Sequence, residues 1–226
     1  MPPAGGMLFA GPPFLPSPSM TLYALKPRFQ ALLRPVARRL HAGGVTANQV
    51  TIGTAAASLL LGVGLALAAA AGESIWFLLL PGWLLARMAL NAIDGLLARE
   101  FGQASRLGAC LNELADLLAD AALYLPFALL PATGSALAVL VVVLANVAEL
   151  AAVVATADGS GRRNDGPMGK SDRALVFGAL GLLLGCGIPP GPWLAGVLAT
   201  IAVLLLPTIG NRVRRGIAGE DRGGQP

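Results

Sequence analysis

The sequence predicts an all-α membrane protein: six transmembrane helices preceded by an amphipathic interfacial helix, with both termini on the cytoplasmic side. Three observations carry that prediction. The 226 residues are 55% hydrophobic and only 12% charged, where a soluble domain of this size carries about a quarter charged residues. Six apolar segments, at residues 47–71, 74–99, 106–131, 134–157, 172–188 and 192–212, approach or exceed the ~20 residues that cross a bilayer. The basic residues fall at every second connection.

In chain order, residues 1–19 are rich in Pro and Gly and contain no Lys or Arg. A signal peptide needs a basic lead and an unbroken apolar core, so this stretch is expected to be disordered or a mis-called extension, with Met20 the functional start. Residues 20–216 form the membrane domain and 217–226 a polar tail. Between 22 and 40, Leu22, Leu25, Phe29, Leu32, Val36 and Leu40 recur at three- and four-residue intervals among basic residues. The pattern suits a helix lying in the cytoplasmic interface and drawn to anionic lipids; a plain positive-inside anchor is the alternative. Pro27 suits its first turn, and Pro35 should kink it.

The connections at 71–74, 131–134 and 188–191 have no Lys or Arg. Basic residues instead precede the first span (Lys26, Arg28, Arg34, Arg38, Arg39) and flank the second connection (Arg99, Arg106). They also fill the fourth connection (Arg162, Arg163, Lys170, Arg173) and follow the last span (Arg212, Arg214, Arg215). Positive residues mark the cytoplasmic side, which fixes both termini inside. Cys110 and Cys186 then lie near opposite faces, too far apart for a disulfide.

One stretch breaks the oily pattern: NAIDGLLAREFGQASRLGACLNELADLLAD, residues 91–120. A charge within hydrocarbon costs several kcal/mol, about 3 on insertion scales, so such residues are functional candidates. Asn91, Asp94, Gly95 and Ala98 share one face of the second span; Gly108, Asn112, Asp116 and Asp120 share one face of the third. Asn91 lies roughly 12 Å of helix axis from Arg99, and Asn112 roughly 9 Å from Arg106, just below the cytoplasmic surface. The short connection Glu100 to Ser105 makes the two spans antiparallel neighbours. Gathered oxygen ligands of this kind suit a hard cation such as Mg²⁺ or Mn²⁺. There is no Cys/His cluster, and the lone His41 belongs to the interfacial segment, so zinc is disfavoured. Gly95, Ala98 and Gly108 signal either close helix packing or room for a flat ligand.

Asp94-Gly95, Ala98-Arg99, Gly108 and Asp116 stand in register with the signature of the CDP-alcohol phosphatidyltransferase family, which this stretch resembles. VTANQVT at residues 45–51, the six spans and the leading interfacial helix also look like the family. MTLYALKP, NAIDGLLARE and GKSDRALVFG resemble a poorly characterised bacterial branch of it. The departures are Asn91 and Asn112, where the signature has its first and third aspartates.

The resemblance implies transfer of a phosphatidyl group from CDP-diacylglycerol to the hydroxyl of a polar alcohol, with release of CMP. It implies Asp116 as catalytic base, and Asp94, Asn91, Asn112 and Asp116 as metal ligands, with Asp120 one turn below as a further candidate. With the four-position cluster at −2 rather than −4, one Mg²⁺ or Mn²⁺ is expected to bind tightly and a second weakly or only with substrate. Gly95, Ala98, Arg99, Gly108, Asn48 and Thr51 are the implied nucleotide and substrate positions. Lys170, Arg173, Arg162 and Arg163 are acceptor candidates, against a bland reading of topology plus a helix cap at Ser171. The site would face the cytoplasm from a multi-pass protein of the bacterial inner membrane. A homodimer is expected by resemblance only, and nothing calls for nucleic acid.

Arg87, one turn before Asn91, reads as half of a structural ion pair. Asn146 and Glu149 share a face of the fourth span and could pair with it, line a lipid groove or mark a dimer contact. Two rival readings stand beside the transferase. One is a catalytically weakened relative that binds CDP-lipid. The other is a transporter using membrane carboxylates as a relay, against which the charges cluster at one face without an inverted repeat.

Overall fold

The computed structural model describes residues 26–131, 134–154 and 166–223, and every regular element among them is helical. The helices are α1 (Lys26–Ala42), α2 (Ala47–Ala70), α3 (Leu79–Glu100), α4 (Arg106–Tyr124), α5 (Ser135–Val154), α6 (Lys170–Gly185) and α7 (Pro192–Gly223), with 3₁₀ turns at Ser74–Leu78 and Leu125–Leu129. All six apolar segments therefore form helices. Four stretches among the described residues are long and apolar enough to cross a membrane: Ala47–Ala70, Ser74–Glu100, Ser135–Val154 and Pro192–Arg214. The other two fall short for different reasons. α4 carries Arg106, Glu113, Asp116 and Asp120 within its 19 residues, and α6 is only 16 residues long.

Residues 1–25, 155–165 and 224–226 lie outside the described residues, and with them the expected N-terminal extension, Arg162 and Arg163. α7 stays helical through Gly223, taking in part of the segment expected as a polar tail. α1 runs on through Pro35.

Local signals set the helix starts. Thr46 caps α2 by accepting from the Gln49 amide at 3.2 Å, while the Gln49 side chain accepts from the Thr46 amide at 2.9 Å, a reciprocal capping box. Ser105 caps α4 by accepting from Gly108 N at 2.9 Å. The expected cap of α6 at Ser171 is corrected: Ser171 lies inside the first turn, and Asp172 Oδ2 accepts from Gly169 N at 2.9 Å. Four amide donors at a helix start have no intrahelical partner, and a carboxylate there also complements the helix dipole.

α2 is the hub on the motif side of the bundle. It packs closely on α4 and on α3, while α3 packs on α6 and α5 on α7. Gly62 explains the first approach, because a side chain there would run into the Ala122 carbonyl. Gly181 likewise lets α6 close on the 3₁₀ turn; a Cβ would sit 2.9 Å from the Phe77 carbonyl oxygen. Without a hydrophobic drive in lipid, such small-residue approaches are what tighten helix contacts. The core joins Leu80, Leu123, Phe127, Leu184, Leu198 and Leu205 among others, with Tyr124 stacked on Phe177 at a centroid distance of 3.9 Å.

The two motif helices are neighbours, as the short connection predicts, and they meet through side chains. α3 and α4 do not pack backbone against backbone; each packs on α2, and side chains bridge the gap between them. α1 lies across α3, burying Ala37 with Ile93, Leu96 and Leu97. Arg34 grips Glu100 bidentately, Nε to Oε2 at 2.9 Å and Nη2 to Oε1 at 2.8 Å. Phe29, Leu32 and Val36 stay exposed on the outer side of α1. Cys110 and Cys186 are both free, in keeping with their predicted separation.

Candidate active site

Three helices set the polar pocket. The N-terminal turns of α2 supply Asn48 and Thr51, α3 supplies Asn91, Asp94 and Gly95, and α4 supplies Gly108, Asn112 and Asp116. Asp94 is buried, and its Oδ2 accepts from Thr51 Oγ1 at 2.8 Å. The same hydroxyl lies 3.1 Å from the Ala47 carbonyl. Thr51 is buried, and its hydroxyl stands between the Ala47 carbonyl and one oxygen of the Asp94 carboxylate, nearer the carboxylate.

Across the gap, Asp116 is held more heavily. Its Oδ1 accepts from Asn91 Nδ2 at 2.9 Å and from Arg87 Nη2 at 3.1 Å, and its Oδ2 pairs with Lys170 Nζ. Asn91 shares the α3 face of Asp94, so this one amide ties the two motif helices together. Its carbonyl oxygen, opposite Nδ2 on a planar amide, remains the atom that can face a cation.

The two motif glycines leave room that polar atoms fill. A Cβ at Gly108 would stand 2.7 Å from Asn48 Oδ1 and 3.0 Å from Ser105 Oγ; one at Gly95 would stand 2.8 Å from the Arg99 guanidinium. Polar side chains therefore rest directly on the backbone at both glycines. α3 and α4 meet through side chains and do not pack closely on each other, while Gly108 faces Asn48 of α2.

Below this pocket runs a buried chain of ion pairs. Arg87 bridges Asp116 and Asp120. Arg173, with no exposed surface, donates to Asp120 Oδ2 at 3.3 Å and to Glu149 Oε1 at 2.8 Å. Arg212 donates to the same Glu149 oxygen at 3.3 Å. Sequence reasoning expected an ion pair for Arg87 but left its partner open. Its acids are on α4, while Glu149 belongs to Arg173 and Arg212. Arg87 falls on the face of Asn91 and Asp94, a spacing that could have named it as a neighbour of the motif.

Asp120 thus sits one turn deeper than Asp116, between two guanidinium groups. Arg173 is likewise engaged inside the bundle, whereas Lys170 is partly exposed and reaches the pocket. The start of α6 is fixed there because Met168 N donates to Thr208 Oγ1 on α7 at 3.1 Å. Arg99 is exposed at the end of α3. Asn112 lies on the α4 face of Asp116 and is half-buried. The described residues contain no group of three or more His, Cys, Asp or Glu placed to hold a metal ion.

The family model for CDP-alcohol phosphatidyltransferases matches residues 44–208 of this chain, from the entry to α2 through Thr208 of α7. The chain belongs to the CDP-alcohol phosphatidyltransferase family. It is 46% identical to the inner membrane protein YnbA of Escherichia coli K12 over 195 residues, which is 86% of this chain and 96% of that protein. It is 32% identical to the phosphatidylinositol phosphate synthase of Corynebacterium glutamicum over 181 residues, covering 74% of this chain and 76% of that one. The fold is similar to the phosphatidylinositol phosphate synthase of Mycobacterium tuberculosis. The crystal structure of that protein with CDP-DAG bound has a TM-score of 0.67 at 22% identity and covers 82% of this chain and 94% of its own. Its complex with manganese and citrate also has a TM-score of 0.67, at 23% identity, covering 81% and 88%. As a CDP-alcohol phosphatidyltransferase the chain is an enzyme of phospholipid biosynthesis. It moves a phosphatidyl group from CDP-diacylglycerol to an alcohol, and divalent metal use goes with the family.

Proposed function

We propose that the gap between α3 and α4 is where this transfer takes place, facing the cytoplasm from a multi-pass protein of the bacterial inner membrane. All six apolar helices cross in this reading. α4 and α6 do so because their charges point inward and are paired with the bundle's own side chains, which removes most of the cost of a charge in lipid. The basic clusters mark the cytoplasmic side, and α1 lies in that interface with Phe29, Leu32 and Val36 toward the acyl chains and anionic lipids around it.

The lipid tails of CDP-diacylglycerol stay in the bilayer while the nucleotide lies on the backbone of Gly95 and Gly108, near Asn48, Ala98 and Arg99. Asp94, oriented by Thr51, would hold a Mg²⁺ or Mn²⁺ ion with the side-chain oxygens of Asn91 and Asn112, a hard-donor set suited to such a cation. When bound, the ion supplies positive charge against the diphosphate. Asp116 takes the proton of the incoming hydroxyl as general base. The alcohol oxygen forms a bond to the lipid-side phosphorus, and the bond from that phosphorus to the CMP oxygen breaks. Arg87 and Asn91 fix Asp116 for that task. Lys170 stands at the mouth of the pocket and is the basic residue best placed to meet an acceptor arriving from the cytosol. Arg173 and Asp120 serve the bundle instead.

The single observation that carries this reading is the Asn91 bridge. A residue on the face of Asp94 donates to Asp116, so the two acids of the motif share one pocket. The test uses detergent-purified protein with CDP-diacylglycerol, Mn²⁺ and a panel of polar alcohols, assayed for CMP and for the new phospholipid. CMP release with one acceptor, lost in Asp94→Ala, is the expected result. Nucleotide binding with no release across a broad panel overturns it in favour of a weakened CDP-lipid-binding relative.

A further inference from the structure

Two carboxylates are absent from the motif, at Asn91 and Asn112, and together they account for two negative charges, the charge of one divalent cation. The remaining acid on α4, Asp116, is not left bare. Lys170 Nζ meets its Oδ2, while Arg87 and Asn91 meet its Oδ1. Both oxygens of the carboxylate are therefore engaged by donors supplied by the chain. Asp94, by contrast, accepts from a neutral hydroxyl on Oδ2 and makes no ion pair among the described residues, with the Lys170 ammonium acting on it only from a longer distance.

We propose that Lys170 takes the place of a second divalent cation, so that the centre works with one metal ion at Asp94 and one fixed ammonium at Asp116. This rests on the transferase reading of the pocket. A lysine is a compact point charge with three donors, and its ammonium can meet a carboxylate and a phosphate oxygen at once. Its seat is built in. Met168 is tied to Thr208 of α7, Asp172 caps the first turn of α6, and from that turn Lys170 reaches Asp116 while Arg173 reaches Asp120, both on α4. With four acids in the motif a lone ammonium would leave excess negative charge. With two, a second divalent ion next to Lys170 and Arg87 would meet like charges instead of ligands. The amide at 91 suits the arrangement in a way an acid would not, since its Nδ2 donates to Asp116 where a carboxylate would repel it.

The experiment counts Mn²⁺ ions bound per chain, by electron paramagnetic resonance on the detergent-purified full chain with CDP-diacylglycerol present. Three forms are compared: wild type, Asn91→Asp with Asn112→Asp, and that pair combined with Lys170→Met. The expected counts are one, one and two, because the added acids recruit a second ion only once the ammonium is gone. Two ions in the wild type, two in the Asp pair with Lys170 kept, or one in the triple variant would each overturn the proposal. The first two forms leave Lys170 untouched, so they decide the matter even where the triple variant fails to fold. CMP release is followed in parallel on the wild type. One bound ion without any release would sink the transferase reading while leaving the count standing, and release with two bound ions would do the reverse.

Discussion

Asp94 and Asp116 occupy facing positions in one pocket, yet the two corners they define are built differently. The Asp94 corner, between α2 and α3, holds its acid with a threonine hydroxyl at 2.8 Å. The Asp116 corner, between α3, α4 and α6, holds its acid with a lysine, an arginine and an amide. A carboxylate oriented by a neutral donor keeps its charge available to a cation, whereas one clasped by two cations has that charge balanced and its position fixed by its own chain. In the proposed reading the two ends of one motif divide the work, one left open for a cation and the other fixed for proton transfer.

The largest effect expected from breaking this contrast is on stability, beneath the Asp116 corner. Arg173→Met strands Asp120 and Glu149 with one guanidinium fewer each, deep in the bundle. Removing one partner of a buried pair costs about 3–5 kcal/mol. The variant should therefore unfold at a markedly lower temperature in detergent, followed by a thermal-unfolding assay of the purified chain. On the Asp94 side, Thr51→Val removes the orienting hydroxyl and leaves the charge. Outer partners of metal ligands are worth roughly 10–100-fold in metal affinity, so Mn²⁺ binding should weaken by about tenfold or more in a titration. The same titration should change little for Arg173→Met protein that stays folded.

The glycines give the smallest effects and sharpen the comparison further. Gly108→Ala pushes a methyl against Asn48 Oδ1 and the Ser105 cap, and the KM for CDP-diacylglycerol should rise several-fold. An energy change of about 1.4 kcal/mol corresponds to tenfold. Gly95→Ala meets only the far end of the flexible Arg99 side chain, which can swing away, so its KM should shift less. Steady-state kinetics on the two variants side by side checks the order.

Much of this architecture was legible in the sequence because lipid is a demanding solvent. Apolar runs bounded by basic clusters leave little choice about where helices lie, and the six segments became helices close to the marked limits. The grouping of Asn91, Asp94, Gly108 and Asp116 followed from helical spacing, which fixes faces. Spacing does not fix the distance between faces, however. A six-residue connection makes α3 and α4 neighbours, but it does not show that α4 packs more closely on α2, where Gly62 lets the two backbones approach. The chain Arg87–Asp120–Arg173–Glu149–Arg212 joins residues tens of positions apart on different helices, and no periodicity encodes such pairs. The Thr46–Gln49 capping box is legible as a pattern, T-x-x-Q ahead of an apolar run.

In the proposed mechanism, phosphatidyl transfer takes place in the gap between α3 and α4 and depends on Asp116 as base. Asp116→Asn keeps the shape of the side chain and its room between Lys170 and Asn91 while removing the proton acceptor. CMP release from CDP-diacylglycerol, measured at saturating Mn²⁺ and acceptor, should fall by about 10³-fold, with lipid-nucleotide binding retained. Release at the wild-type rate from folded Asp116→Asn protein would contradict the account and move the chemistry elsewhere in the molecule.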